Sequence, residues 1–463
     1  MSKYLVADRL LSRATFGARP GDREALETEG RRAWLERQLA GPTSDTAPGR
    51  DSEIQRHLAR FPHLDRSARE ILAHTGASND PMGMSGPMGR MSKEDRREIQ
   101  QLGRRVGREV AGARVVRAVH GPGGLHEVMV DFWANHFSVD SRKGMIGPVL
   151  PHYLNQAIAP HALGRFEELL QANAHSPAML VYLDNWNSTA PAQDLGRRER
   201  RLRRQMKRGP GGINENYARE LMELHTLGVH GGYDQRDVVE VARVFTGWSL
   251  VSRSNPAFQF HELLHSKGEK RVMGMRIREA GEKEGRRVLR ELARHPSTAR
   301  HLSTKIVQRF VADSPPPALV DRATARYIES DGSIRDVLRL VLLSPEFTSE
   351  ENRKLKTPLR LLASALRATG GTTDGGPGVL RTLERMGEIP FGARSPAGYP
   401  ETAREWTDPG SLLERMNLAF ALAQRRIPGT RLGPKPPTAS IRGFDGRREA
   451  QAMAIASRSF QWA

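Results

Sequence analysis

The chain contains no cysteine among its 463 residues, so it cannot form a disulfide, a thiolate nucleophile or a cysteine-ligated zinc or iron–sulfur site. It has no run of about 18 apolar residues, which excludes a membrane-spanning helix. Aromatic residues make up only 6% of the chain, and none lies in its most basic stretch. Specific nucleic-acid binding is therefore not expected, because bases of single strands stack on aromatic rings and no basic-zipper or RNP pattern is present.

Positive charge is what the chain has in excess, since 72 Lys and Arg residues against 53 Asp and Glu residues give a net charge of +19. Two segments, 194–208 and 425–448, carry +6 each. A basic insertion is predicted over 194–212, and its arginines include Arg200, Arg201, Arg203 and Arg204. Two interpretations are open: the insertion binds an acidic polymer or partner protein, or it is a solvated surface segment, as runs of like charge commonly are.

The first residues give an expectation about location. A secretory signal has an apolar core of about 7–15 residues, and Asp8 and Arg9 interrupt any such core here. The sequence as written therefore predicts a cytoplasmic protein, and it predicts an extracytoplasmic one if a leader has been removed.

Apolar residues recur at spacings of three and four along most of the chain, which is the period of an amphipathic α-helix. The sequence predicts a mainly α protein, an orthogonal or bundle-like array of many helices with at most one small β-hairpin at about 258–274. In that hairpin, 258–260 would pair with 271–273. The predicted segments are N-terminal helices over 1–74, a Gly/Met-rich loop over 75–92, a central helical domain over 93–313, and a C-terminal helical region over 318–463 with a Pro-rich linker over 428–437.

The segment from Asn214 to Gly228 predicts a helix with an unusual polar flank. At about 100° per residue, Asn216, Glu220 and Glu223 lie together beside an apolar stripe that includes Leu224. The two carboxylates repel each other across one turn, at a cost of about 0.2–0.5 kcal/mol on an exposed helix, so a compensating species is expected. A metal ion, a shared proton or an arginine from a neighbouring helix would each satisfy that expectation.

His136 falls on the apolar face of a helix predicted to begin near Leu125. It is either a hydrogen-bonded core residue or a metal ligand. Asp131 and Asn135, one turn apart on the same helix, are placed to orient this histidine or a metal-bound water.

The stretch His261-Glu262-Leu263-Leu264-His265 matches the H-E-x-x-H pattern of zinc peptidases. On a helix, both imidazoles would face one side and bind zinc, with Glu262 as the general base. The third-ligand position of one zinc-peptidase class carries Arg271 here, and so short a pattern also arises by chance. A zinc-peptidase site is therefore the lesser alternative.

Stretches distributed nearly from end to end resemble a bacterial family catalogued only as domain of unknown function 1800. The most specific stretch runs from Asn214 to Val229 and is followed by Gly231-Gly232-Tyr233 and Ala242-Arg243-Val244-Phe245-Thr246-Gly247-Trp248. The further similar stretches are Leu11–Gly17, Phe132–Phe137, Pro177–Asp184, His295–Ala299, Ser344–Phe347 and Pro396–Tyr399.

The resemblance implies no particular reaction, because the family has none assigned. It implies an exported protein encoded beside proteins similar to the alkaline-phosphatase superfamily, one of which is then a candidate partner. Ala134 stands where the family pattern has a histidine, and Ser266 follows His265 where the pattern has an aspartate. Two potential ligands are therefore absent from this chain.

Two functions remain open on the sequence. The first is a helical enzyme for metal-assisted or acid–base chemistry, with hydrolysis as the expected reaction. Its catalytic residues would be Glu220, Glu223 and His136, and the same three residues with His265 and Asn216 would bind a divalent metal. The second is a non-catalytic module whose basic segments bind an acidic polymer or partner protein.

Overall fold

The computed structural model describes residues 3–41, 50–73, 75, 92–121, 124–191, 196–197, 200–201, 212–252, 254–434 and 447–462. Over these residues the chain is mainly α-helical, which confirms the predicted fold class. None of the described helices combines the length and the apolarity that crossing a bilayer requires. The division into N-terminal, central and C-terminal segments stays a prediction.

In chain order, the helices described in the first part of the chain are α1 (Lys3–Ala14), α2 (Asp22–Glu29), α3 (Arg31–Ala40), α4 (Arg50–Leu58), α5 (Ala68–Leu72), α6 (Lys93–His120), α7 (Leu125–His136), α8 (Ile146–His152), α9 (Phe166–Ala174) and α10 (Pro177–Tyr182). The longest helix in this part, α6, packs against α4 and α8. A π-helical turn, Tyr153–Ile158, and a 3₁₀ turn, Ala159–His161, extend α8.

The helices described in the second part of the chain are 4 to 15 residues long. They are α11 (Glu215–Glu220), α12 (Gln235–Val244), α13 (Glu282–Arg294), α14 (Pro296–Phe310), α15 (Pro317–Glu329), α16 (Ile334–Leu343), α17 (Pro345–Thr348), α18 (Pro358–Thr369), α19 (Pro377–Arg385), α20 (Pro409–Ala423), α21 (Arg447–Ala456) and α22 (Arg458–Gln461). A π-helical turn, Leu221–Thr226, continues α11. Single 3₁₀ turns lie at Asn185–Asn187, Glu262–Leu264 and Ala403–Trp406.

The strands form three small antiparallel pairs, and the predicted pairing is wrong. The pairs are β1 (Trp248–Leu250) with β2 (Phe258–Phe260), β3 (Lys270–Val272) with β4 (Met275–Ile277), and β5 (Thr372–Thr373) with β6 (Thr430–Arg431). The segment 258–260 therefore pairs with the preceding strand, β1, and not with 271–273. The tight turn after β3 explains why: Gly274 takes a φ of 78°, which lets 270–272 pair with its immediate successor.

The main hydrophobic core extends from Ala7 of α1 to Phe460 of α22, and α4 packs on α6 in a smaller separate cluster. Within the main core, α6 packs against α8, α18 and α19. Polar and charged side chains are buried where α7 and α14 meet the segment 388–401. These side chains include groups that can donate or accept a proton.

Candidate active site

A small polar cavity lies between α7, the start of α18 and the segment 388–401. Its lining residues are Arg114, Asp131, Ala134, Asn135, Ser138, Arg309, Thr357, Leu359, Glu388, Pro390, Phe391, Ala393, Tyr399, Pro400 and Glu401. Three lining residues, at 131, 134 and 135, come from one face of α7, and Ser138 follows just after the end of that helix. The cavity volume is about 40 Å³, room for a few water molecules, since one water needs roughly 10–15 Å³.

Arg309 holds two carboxylates at this cavity. Its guanidinium donates one hydrogen bond to Oδ2 of Asp131 at 2.8 Å and another to Oε2 of Glu401 at 2.9 Å. Burial alone would raise the pKa of Glu401, but the positive charges of Arg309 and Lys354 outweigh it and leave that pKa lowered. Oδ1 of Asp131 accepts no hydrogen bond from the described residues and remains available to a ligand.

Glu388 is the third carboxylate of the cavity and has a different environment. One of its oxygens accepts the backbone N–H of Leu359 at 2.7 Å, in the first turn of α18. Burial raises the pKa of Glu388 to about 7, and the negative charge of Asp131 contributes to the rise, whereas that hydrogen bond lowers it. Two acids of one cavity therefore have pKa values displaced in opposite directions, which is the arrangement expected of an acid and a base.

The backbone around the cavity is strained and tightly held. Phe391 has a φ of 58°, which costs a non-glycine residue about 1–3 kcal/mol. Asn135 donates to the carbonyl of Tyr399 at 2.9 Å and accepts the Tyr399 N–H at 2.7 Å. Gly398 has a φ of 77°, and a Cβ there would lie 2.4 Å from the Asn135 carbonyl oxygen. Strain that persists beside a polar cavity is typical of functional sites.

A basic cluster adjoins the cavity on α14. Lys305 lies one turn before Arg309, and His301 lies one turn before Lys305. Burial lowers the pKa of Lys305 to about 8, against the opposing charge of Glu401. Lys305 forms no hydrogen bond or ion pair with the described residues.

His136 lies in this basic cluster, in the buried position that its apolar helix face predicts. Its Nε2 donates to the carbonyl of His225 at 3.1 Å, and its ring lies 6.1 Å and 6.3 Å from the rings of His225 and His301. Burial lowers the pKa of His136 well below the ordinary value, so the ring is neutral at pH 7. Its contacts are those of a hydrogen-bonded core residue, and the role as a ligand stays a prediction.

The two acids of the Asn214–Gly228 segment lie on the partly exposed flank where the helical period places them. Burial raises the pKa of Glu220, and the charge of Glu223 raises it further. Neither acid has an ion pair in the part of the chain that the structure describes. The neighbouring Arg219 pairs with Glu215 instead, at 3.6 Å. Asn216 is exposed. Neither acid bonds His136, and their role as ligands or base stays a prediction.

The apolar stripe of this segment differs from the prediction because its second half is a π-helix. Leu227 donates its N–H to the carbonyl of Met222, five residues back, at 2.8 Å. The wider turn brings His225 and Thr226 into the core and leaves Leu224 only half-buried. A uniform angle of 100° per residue could not give this result.

His265 lies in a buried ionic cluster instead of a zinc-peptidase helix. The stretch 261–265 is extended at both ends around one 3₁₀ turn, so it lacks the α-helix that the zinc-peptidase interpretation requires. Nε2 of His265 lies 3.1 Å from Glu284, and Lys270 pairs with Glu284 at 2.8 Å with both side chains fully buried. Nδ1 of His265 donates to the carbonyl of Thr246 at 2.9 Å.

The described residues bring three potential metal ligands together at one place that sequence reasoning did not indicate. Glu53, His57 and His120 place their ligand atoms within 4.8 Å of one another. Glu220, Glu223, His136 and His265 form no such group of three among the described residues. Of the basic insertion, Arg200 and Arg201 belong to the described part, whereas Arg203 and Arg204 lie outside it.

A basic groove lies on the other side of the segment that carries Glu388. Arg104, Arg108 and Arg381 line it together with apolar side chains such as Leu380. These three arginines form no ion pair within the described ranges. Pro390 lines both the groove and the cavity.

The protein is thus mainly α-helical, and the carboxylates of Asp131, Glu388 and Glu401 line a small polar cavity in it. The chain belongs to the family described as protein of unknown function DUF1800, which matches residues 9–461. The resemblance stated from the motifs is thereby confirmed. No curated protein and no solved structure matches the chain.

Sequence reasoning missed Arg309, Glu388 and Glu401. A signal existed for the first of them, because Lys305 and Arg309 are charged residues at a spacing of four on a helix whose neighbouring positions Ile306 and Phe310 are apolar. The two glutamates gave none, since each stands alone in an irregular segment and acquires its environment from distant helices.

Proposed function

We propose that the protein is a hydrolase that uses general acid–base catalysis at the cavity of Asp131, Glu388 and Glu401. The observation that carries the proposal is that one cavity holds both Glu388, whose pKa burial raises to about 7, and Asp131, which Arg309 orients through Oδ2. A carboxylic acid with a pKa near 7 can donate a proton at neutral pH, which an ordinary glutamate cannot.

The roles follow from the contacts. Asp131 is oriented by Arg309 through Oδ2, and its free Oδ1 takes a proton from a water molecule as that water attacks the substrate. Glu388 gives its proton to the leaving group, so that one water is consumed and the bond of the substrate is cleaved. The cavity is too small for more than the water and the reacting group.

The rest of the substrate must lie outside the cavity, and the adjoining basic groove favours one that is negatively charged. Arg104, Arg108 and Arg381 form no ion pair with the described residues, whereas Arg142 of the same groove pairs with Asp140 and the acidic residue Glu384 also lines it. These groove arginines lie outside the basic segments 194–208 and 425–448, so binding of an acidic partner by those segments stays a separate prediction.

The test is a comparison of wild type with Glu388→Gln. Turnover of chromogenic 4-nitrophenyl esters, phosphates and glycosides is measured as a function of pH. We expect activity that falls as pH rises through about 7, when Glu388 loses its proton, and a loss of about 10²–10⁴-fold in Glu388→Gln. The salt dependence of KM reports the contribution of the groove.

The control is Glu329→Gln, which alters an exposed glutamate at the end of α15 and should leave the rate unchanged. Carbon NMR of ¹³C-labelled glutamate measures the titration of Glu388 without any substrate. A pKa of Glu388 near the ordinary value of 4.5 would contradict the proposal, as would full activity in Glu388→Gln.

A further inference from the structure

The side chains of Glu53, His57 and His120 converge at a distance from the acid–base cavity, with none of the three in its lining. Glu53 and His57 lie one turn apart on α4, which packs against α6, and His120 is the last residue of α6. The rings of His57 and His120 stack at 4.0 Å with an angle of 15° between their planes. Three potential ligands from two helices therefore meet at one point.

The backbone of β5 holds the ring of His120. Its Nε2 lies 3.0 Å from the carbonyl oxygen of Thr373 and 3.2 Å from the amide nitrogen of the same residue. When Nε2 is unprotonated it accepts the Thr373 N–H, and in the other tautomer Nε2 donates to the carbonyl and Nδ1 keeps its lone pair for a metal. Metal-binding histidines are commonly oriented by a hydrogen bond of this kind.

We propose that Glu53, His57 and His120 bind a divalent first-row transition metal, with Zn²⁺ as the expected ion. Two imidazoles and one carboxylate are the ligand types that Zn²⁺ accepts at about 2.0–2.2 Å, in a tetrahedral arrangement with one position left for water or another ligand. Tetrahedral bonds of that length place ligand atoms about 3.3 Å apart. The present separations of up to 4.8 Å need only a small approach, which the exposed side chain of Glu53 can make.

The open side of this site faces a cleft. Glu53 and His57 line it together with Arg56, Arg60, Thr372, Thr373, Asp374, Gly429 and Arg431. The arginines place positive charge near the fourth coordination position. A negatively charged ligand there, such as hydroxide or a carboxylate, would offset the charges of the metal and of the guanidinium groups. The metal would link α4 to α6, and His120 also contacts Thr373 of β5.

The experiment is a titration of the chelator-treated full chain with ZnCl₂ in an isothermal calorimeter, repeated with CoCl₂ and read by visible absorption. We expect one metal per chain and the intense absorption of tetrahedral Co²⁺. The variants His57→Ala and Glu53→Gln should each weaken binding by about tenfold or more. Both side chains are at least partly exposed, so these variants are expected to fold.

Two controls separate this site from others. His230→Ala removes an exposed histidine elsewhere, and the double variant Glu220→Gln, Glu223→Gln removes the acids of α11 and its π turn. Both should bind the metal as the wild type does. Absence of stoichiometric binding, or binding that survives His57→Ala, would overturn the proposal. Because the readout is binding alone, the result is independent of the proposed hydrolase activity.

Discussion

At the scale of single residues, Lys305 and the histidines around it form no ion pair with the described residues. Lys305 has no hydrogen-bond partner among the described residues, and three histidines lie within reach of its charge. Burial lowers the pKa of His225 to about 3 and that of His301 to about 4, with the charge of Lys305 contributing to both. The imidazoles are therefore neutral at pH 7. The ammonium group of Lys305 is the charged group of this cluster, and its burial has a cost in free energy.

The first residue-scale prediction concerns Lys305→Met. Lys305 is half-buried, and removing its unpaired ammonium group while keeping the side-chain volume should raise the free energy of unfolding at pH 7 by about 1–3 kcal/mol. The wild type binds fewer protons when folded than when unfolded between pH 8 and 10.5, so its own stability rises with pH over that range. The advantage of the variant should shrink accordingly, as urea denaturation at pH 7 and pH 10 would measure.

The matched control is Lys354→Met. Lys354 is buried, but it pairs with Asp313 and donates to the carbonyl of Glu401 at 2.7 Å. Its removal should destabilise the protein at both pH values, because it leaves Asp313 without its partner. If Lys305→Met were destabilising to the same extent as Lys354→Met, Lys305 would have a partner that the described residues do not include.

At the scale of elements, Glu284 joins a helix to a strand. It lies in the first turn of α13, where Oε1 accepts the N–H groups of Ala280 and Gly281 at 2.9 and 3.1 Å. The same carboxylate pairs with Lys270 of β3 and contacts His265. Burial alone would raise the pKa of Glu284, but the hydrogen bonds from His265 and Lys270 outweigh it and leave the pKa lowered.

The element-scale prediction is that Glu284→Gln costs about 3–5 kcal/mol at pH 7, because the ammonium group of Lys270 is left buried without a charge partner. A lowered folded-state pKa means that the contribution of Glu284 is complete above its unfolded value of 4.5 and is lost as pH falls through the folded value. The variant should therefore lose less at pH 3 than at pH 7. Chemical denaturation at the two pH values gives both numbers.

A second variant shows whether charge or shape matters. In Glu284→Gln combined with Lys270→Met, no buried charge is left unpaired, and the double variant should be more stable than Glu284→Gln alone. A double variant that loses the sum of both single losses would show that the pair acts through packing.

Helices were the elements that the sequence could predict. The helix predicted to begin near Leu125 begins at that residue as α7, and Asn214 caps its helix by accepting the N–H of Asn216 at 2.9 Å. Helix caps and the hydrophobic period depend on residues that are close together in the chain, so a short stretch of sequence is enough to predict them. The π turn after Glu220 could not be predicted this way, because its extra residue is accommodated by contacts with α14 and α13 that come later in the chain.

At the scale of the whole molecule, the two ends of the described chain meet the same core. Arg13 of α1 donates to the carbonyls of Phe310 and Val311 at 3.0 and 2.9 Å. At the other end, Gln461 accepts the N–H of Lys356 at 2.9 Å and a hydrogen bond from Arg415 at 2.7 Å. The candidate site depends on this closure, since Glu388 and Asp131 come from segments more than 250 residues apart. No local pattern in the sequence contains that pairing.

The last prediction joins the C-terminal helix to the cavity. Phe460 covers the ammonium group of Lys356 at 4.0 Å, and Lys356 is followed by Thr357 and by Leu359, whose N–H holds Glu388. Phe460→Ala should lower the free energy of unfolding by about 3 kcal/mol. It should also lower the pKa of Glu388 from about 7 toward 4.5, because a loosened Lys356–Leu359 segment admits water to a carboxyl that burial now keeps protonated.

Ser459→Ala, on the exposed side of the same helix, should change neither quantity. Denaturation and NMR titration of Glu388 measure the two effects separately, and a destabilised Phe460→Ala protein with an unchanged pKa of Glu388 would show that the terminus supports the fold without shaping the cavity.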